Sequence, residues 1–191
     1  ASVLKEIFSF HQNEFLHKEG TDCDNTNKYS SLYYIPLGIN DLNLQASVSG
    51  DYYTDKLISL EDQIMAYQGV EILAGDNQVE CSENKKQKVD ARKGVEIRSY
   101  PNYPIFSLKK FNFNYDTQKR YKIHTKNLDY PEIINKNEHS YRLYSIVSHY
   151  GSSFGGHYIS WIRVDDTRWN KISDSSVEMK TTTEALADKD A

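Results

Sequence analysis

The sequence predicts an α+β fold in which antiparallel sheet dominates and one or two helices pack alongside. Three observations carry this. Short runs of strand composition recur along the chain, most densely from Tyr141 to Ser173. Helical periodicity is confined to a segment starting at Leu57 and to a terminal segment near Thr181. With 26% charged and 38% apolar residues, the 191-residue chain suits one substantial core rather than a disordered segment.

Residues 1–31 are polar, with a loop-like stretch over Gly20–Tyr29. Leu32–Leu44 has strand composition broken by Pro36 and Gly38. Residues 45–56 read as a polar loop. From Leu57 the run LISLEDQIMAYQGVEIL puts Leu60, Ile64 and Tyr67 on one helical face, with Ser59 and Asp62 as a capping box. Ala74–Asn77 is a turn, Val79–Cys81 starts a short strand and Ser82–Gln87 is a polar knuckle. Lys88–Arg98 is extended. In Ile105–Tyr115, Phe106 and Leu108 share one parity while Phe111, Phe113 and Tyr115 share the other, so a bulge or bend is expected at Lys109-Lys110. Tyr130–Glu132 closes that hairpin region. Strands follow at 141–148, 157–164 and 168–173, and a helix starts near Thr181, with Glu184 as its capping partner.

The net charge of −4 argues against nucleic acid as a main partner. No apolar run approaches the roughly 18 residues that span a bilayer. Two cysteines, Cys23 and Cys81, build no disulfide framework, and a reducing compartment, cytoplasm or nucleus, is expected. The six histidines are scattered without a four-ligand zinc pattern, so no metal and no cofactor is expected.

The chemistry concentrates in 141–177. A strand ends in His149, a Gly/Ser loop follows, and Gly155-Gly156-His157-Tyr158 opens the next strand. Ser173-Asp174 lies two strands on. A histidine at the root of a glycine loop with a polar orienting partner is a general-base arrangement, and no partner nucleophile is evident. The plainer alternatives are a core histidine with satisfied bonds at 157 and an ordinary turn serine at 173. A metal pair of His149 and His157 lacks a third ligand.

Six blocks, in order, resemble the C-terminal half of a ubiquitin-specific protease catalytic domain, from about Ile7 to the end. Leu73-Ala74-Gly75-Asp76-Asn77 is similar to the family's Leu-x-Gly-Asp-Asn, with Val79 where Tyr is usual. Lys88–Gly94 resembles the segment after the family's zinc knuckle. Pro104–Phe111 resembles the block ending Leu-x-Arg-Phe, with Lys110 in place of Arg. Lys122-Ile123, Tyr130-Pro131-Glu132 and Tyr141–Val177 complete the set.

The resemblance implies the antiparallel palm and finger region of a papain-like cysteine protease fold. About 1–56 would form finger strands and loops, about 57–191 the palm, and the thumb would precede Ala1. It implies hydrolysis of the (iso)peptide bond after ubiquitin's C-terminal glycine, with ubiquitin and ubiquitinated proteins as partners. His157 matches the general base. Ser173 takes the orienting position, where the family usually has Asn or Asp; Asp174 is the alternative. A serine bond is worth roughly 0.5–1.5 kcal/mol against roughly 1.5–3 for a charged partner, so imidazolium would be stabilised less. In a regular strand both residues reach one ring only if the backbone bends. The resemblance also assigns His149, Gly155, Gly156 and Tyr158 to the groove for ubiquitin's tail, at a blocking loop over Gly151–Gly156. Phe111 is a further contact candidate or a core residue. Asp76 could pair with the basic tail or simply shape its turn.

The family's nucleophile lies in an N-terminal cysteine box. Gly20–Asn25 only faintly resembles it, without the helix that should follow, so Cys23 is not expected to be the nucleophile and the chain alone is expected to be inactive. Cys81 has a zinc-knuckle position, but its partner position is Asn84 and the first Cys pair is absent, a degenerate site as in the herpesvirus-associated subgroup. The alternative to an enzyme is a non-catalytic ubiquitin-binding module.

Overall fold

The computed structural model describes residues 2–20, 22–39, 44–48, 50–82 and 86–191. In chain order its elements begin with α1 (Val3–Phe8), β1 (Phe10–Lys18), β2 (Thr26–Leu32), β3 (Ile35–Leu37), β4 (Gln45–Ala46) and β5 (Tyr52–Ser59). Next come α2 (Leu60–Tyr67), β6 (Val70–Leu73), a 3-10 turn at Gly75–Asn77, β7 (Val79–Glu80), β8 (Lys88–Val89), β9 (Ala91–Ser99) and β10 (Phe106–Leu108). The rest is β11 (Phe111–Asn114), β12 (Lys119–Asp129), β13 (Ile133–Lys136), β14 (His139–Arg142) and β15 (Ser145–Ser152). It ends with β16 (Gly155–Arg163), β17 (Arg168–Ser173), β18 (Ser176–Thr181) and α3 (Thr182–Leu186). Sheet dominates, as the composition predicts. Among the described residues no helix is long and apolar enough to cross a membrane.

The chain forms two compact units that interleave in sequence, 1–37 with 64–107 and 38–63 with 108–191. The boundary expected near residue 56 does not coincide with this division. The reason is pairing: β6 and β9 join β1 in one sheet, which draws 64–107 into the first unit, whereas β5 joins β12 in the second.

In the first unit the sheet order is β2-β1-β9-β6. Phe10, fully buried, packs edge-on against Tyr100 and Phe106, at 5.5 and 5.8 Å between ring centres. The cysteines depart from expectation. Cys23, after β1, and Cys81, after β7, are joined in a disulfide. The Asp24 N–H and the Lys18 ammonium both donate to the Cys81 carbonyl, at 3.1 and 3.0 Å. Fifty-eight residues separate the two sulfurs in sequence, so their meeting is set by strand pairing and left no local mark. Cys81 therefore has a sulfur partner, and cysteine usage ceases to argue for a reducing compartment. Asn84 lies outside the described residues, as do Thr21, residues 40–43 of the expected Leu32–Leu44 strand and residues 83 and 85 of the knuckle.

The second unit holds a sheet of order β11-β12-β5-β4, a β13-β14 ribbon and a sheet of order β15-β16-β17-β18. β5 lies where a polar loop was expected, and it runs parallel to β12. Its Thr54 and Ile58 are buried four positions apart with Lys56 exposed between them, a pattern too sparse to read as a strand. The helix predicted from Leu57 is shorter than its pattern, because Leu57–Ser59 belong to β5 and Gly69 and Val70 end it. Ser59 Oγ does accept the Asp62 N–H, at 3.4 Å. The break at Lys109-Lys110 is present, with the Lys110 N–H donating to the Leu108 carbonyl at 2.8 Å. Burial nevertheless alternates straight through it, so Lys110 is buried and Phe111, Phe113 and Tyr115 face outward.

The core beneath the last sheet comprises Ile146, Ile159, Trp161, Trp169 and Ala185. α3 starts with the predicted capping box of Thr181 and Glu184. After it, buried Asp188 accepts hydrogen bonds from Ser148 Oγ (2.7 Å), Tyr150 OH (2.9 Å) and Trp161 Nε1 (2.7 Å). Three donors on one carboxylate satisfy a group that would otherwise be costly to bury.

Candidate active site

The β15–β16 hairpin pairs His149 with Tyr158, Tyr150 with His157 and Gly151 with Gly156. Two glycines are sterically required below its tip. Gly151 has φ +115°, and a Cβ there would meet the Gly155 carbonyl at 2.5 Å. A Cβ on Gly156 would meet the Tyr150 carbonyl at 2.1 Å and His149 Nε2 at 2.5 Å. Gly155, in contrast, faces open space.

His157 Nε2 lies 2.7 Å from Ser173 Oγ. Asp174 Oδ2 is at 4.0 Å from the same nitrogen, outside hydrogen-bonding range, on a side chain 86% exposed. Both neighbours approach one ring because the backbone bends there. Ser173 pairs with Ser176 at the β17–β18 turn, and Asp174 has φ 49°, a left-handed conformation that aspartate tolerates in turns. Nε2 is thus the held nitrogen of the ring.

His149, on β15, is only 9% exposed. Its ring packs between Phe111 and Tyr158, with centroids at 5.0 and 4.6 Å. Burial and the nearby Lys122 charge lower its pKa, which favours a neutral ring. Its Nδ1 is buried without a partner. Phe111 is 46% exposed and so belongs to the surface rather than the core. With Phe113, Phe154, Gly155, Gly156, His149 and Tyr158 it lines an open groove of about 580 Å³. Of the catalytic and tail-binding residues expected from sequence, Asp76 lies in the first unit, exposed in its 3-10 turn, and the others lie in the second. A second concavity, in the first unit, is lined by His11, Tyr29, Ser31 and Arg98. There Ser31 Oγ lies 3.0 Å from His11 Nδ1, an exposed cross-strand pair.

Two residues around the hairpin had no sequence signal as site residues. Fully buried Lys122 donates from Nζ to the carbonyls of His149 (2.5 Å) and Gly151 (3.1 Å), and lies 3.5 Å from Asp190 Oδ1. Asp51, 1% exposed, accepts from the Lys122 N–H (2.9 Å), the Ser153 N–H (3.1 Å) and His124 Nε2 (3.2 Å). Burial alone would raise its pKa; the bonds from Ser153, Lys122 and His124 outweigh it and hold the carboxyl at about 2. Lys110 donates to the Lys189 carbonyl at 3.0 Å. Its pKa is pushed down to about 8, by burial against the opposing pull of Asp190 and with the help of the Lys122 charge.

The family model described as ubiquitin carboxyl-terminal hydrolase matches residues 2–191. The chain is 31% identical over 162 residues to putative ubiquitin carboxyl-terminal hydrolase 11 of Arabidopsis thaliana, covering 78% of this chain and 17% of that protein. It is 30% identical over 165 residues to ubiquitin carboxyl-terminal hydrolase 15 of Schizosaccharomyces pombe, covering 78% and 14%. The chain thus spans less than a fifth of these relatives. A solved structure of the SAGA Ubp8/Sgf11/Sus1/Sgf73 DUB module bound to ubiquitin aldehyde superposes with a TM-score of 0.75 at 20% identity, covering 99% of this chain and 41% of that one. At that identity the likeness concerns the fold, which is papain-like. Matched by the family model from its second residue to its last, the chain belongs to the ubiquitin carboxyl-terminal hydrolase family.

Proposed function

We propose that residues 1–191 supply the general base and the ubiquitin-tail groove of a deubiquitinating thiol hydrolase, whose nucleophilic cysteine lies in a thumb segment outside this chain. The observation that carries this reading is the 2.7 Å contact of His157 Nε2 with Ser173 Oγ beside the groove. With Nε2 held, His157 Nδ1 takes the proton of the cysteine thiol. The thiolate attacks the carbonyl after ubiquitin's C-terminal glycine, and His157 returns the proton to the departing amine. Water then hydrolyses the acyl-enzyme with the same base. The serine hydroxyl orients the ring without fixing its tautomer, since it can donate or accept. The Asp174 carboxylate adds a favourable but solvent-screened charge at 4.0 Å.

In this reading the first unit corresponds to the fingers and the second to the palm. Phe111, Gly155, Gly156, Tyr158 and His149 hold the narrow tail. The fingers carry no zinc, and Cys23 and Cys81 are not nucleophiles because each is the other's partner. A second reading, a non-catalytic ubiquitin-binding module, is favoured by the groove's being assembled wholly from residues present here. Turnover of a ubiquitin C-terminal amide by the full-length protein separates the two. The enzyme reading requires turnover that His157→Ala removes; binding without turnover supports the module.

A further inference from the structure

We infer that Asp51 positions the Ser152–Phe154 turn, and through it sets how tightly the groove holds a narrow C-terminal peptide tail. This deepens the proposed function and rests on it.

The root of the β15–β16 hairpin is fixed by its own glycine packing and by Lys122, which holds the carbonyls of His149 and Gly151. The tip has a different tether. The Ser153 N–H reaches the Asp51 carboxylate, at 3.1 Å to Oδ2 and 3.4 Å to Oδ1, across 102 residues of sequence. Next in the chain is Phe154, 76% exposed, on the groove wall. Its N–H is taken by Ser152 Oγ at 3.2 Å, a contact local to the turn.

Asp51 is itself well fixed. It immediately precedes Tyr52, which pairs with Ile123 in the parallel β5–β12 ladder, and the Lys122 N–H and His124 ring bind the same carboxylate. A buried anion that gathers main-chain donors from β12 and from the turn couples their positions. Loss of the anion leaves Ser153 unheld and lets Phe154 leave the groove wall, while the His157–Ser173 contact, between β16 and β17, does not use the Asp51 carboxylate. The expected signature is therefore weaker tail binding with intact chemistry.

The test uses full-length protein carrying Asp51→Asn or Asp51→Ala, with amide hydrogen exchange and steady-state kinetics on a ubiquitin C-terminal amide. We expect exchange at Ser153 to accelerate at least about tenfold, as loss of a charge-assisted bond implies, while β16 and β17 keep their protection. KM should rise about five- to tenfold with kcat within about twofold. Unchanged Ser153 exchange in a folded variant overturns the tether; faster exchange with unchanged KM overturns its role in the groove. If Asp51→Ala does not fold, the near-isosteric Asp51→Asn decides by the same two readouts. A wild-type protein that neither binds nor cleaves ubiquitin overturns the proposed function and the tail-holding role together, and the exchange measurement still decides the tether.

Discussion

His157 Nε2 is bonded to Ser173 Oγ at 2.7 Å and stands 4.0 Å from Asp174 Oδ2, so a neutral hydroxyl holds the ring while a carboxylate stays out of hydrogen-bonding reach. In the full-length enzyme, Ser173→Ala should lower kcat by about ten- to a hundredfold with little change in KM, because the lost contact matters mainly in the transition state. Ser173→Asp should keep or raise kcat, because a carboxylate stabilises imidazolium better. Asp174→Ala should cost less than Ser173→Ala. The reverse ranking in steady-state assays would give the orienting role to Asp174.

The 191-residue chain alone should not cleave a ubiquitin C-terminal amide, because Cys23 and Cys81 occupy each other. In the full-length enzyme His157→Ala should cost about 10²–10⁴-fold in kcat, the usual worth of a positioned base. Turnover by the isolated chain that disappeared in Cys23→Ala would reverse the assignment of that cysteine.

The Cys23–Cys81 disulfide should stabilise the first unit. Closing a loop of this length is worth about 2–4 kcal/mol, so reduction, or Cys81→Ala, should lower the thermal midpoint. Metal analysis of the reduced protein should find no stoichiometric zinc, since two thiolates do not complete a tetrahedral site. A chelator-sensitive zinc that restores the midpoint would refute this.

Asp51 should mark the acid limb of stability. Its folded carboxyl titrates at about 2 against an ordinary 3.8, so the folded state binds fewer protons between those values. Its contribution, about 2 kcal/mol, is present above pH 4 and lost as pH falls through about 2. Denaturant midpoints of Asp51→Asn should approach those of wild type as the pH falls across this interval. A gap that stays constant would disprove the linkage.

Lys110 has the same sense of pH dependence, but it arises from a cost rather than a gain. Its pKa is about 8 folded and 10.5 unfolded, so between those values the unfolded chain binds more protons and stability rises with pH. The stability of wild type relative to Lys110→Met should therefore improve from pH 8 to pH 10. No change in that difference over the interval would show that the buried ammonium carries no such cost.

How much of this was legible in the sequence follows from how local each signal is. The capping box at Thr181 and Glu184 is a contact within one turn, and it formed as predicted. His157 and Ser173 stand in motifs whose spacing carries over into adjacent strands, and the structure brings them into contact. β5 was missed because its buried residues, Thr54 and Ile58, stand four positions apart without strand alternation and its partner strand is distant in sequence. The Cys23–Cys81 bond was missed for the same reason. Lys110 was expected to mark a bend, and the bend is there. What the sequence concealed is that the inward side of the break is occupied by a lysine while the aromatics face out, because the ammonium finds the Lys189 carbonyl beyond α3.

The interleaving of the two units limits how the protein can be cut. A recombinant fragment starting at Leu57, where the sequence suggests a palm boundary, would carry β12 without most of the strand that pairs with it and the Lys122 and Ser153 amides without their carboxylate. A fragment ending before Leu57 would hold β1 and β2 without β9 and β6. Each half would expose sheet edges that the intact chain covers, and such edges favour aggregation. The shortest piece of this chain that keeps the hairpin of His149 and His157 supported must begin before Asp51 and run unbroken through residues 64–107 of the other unit.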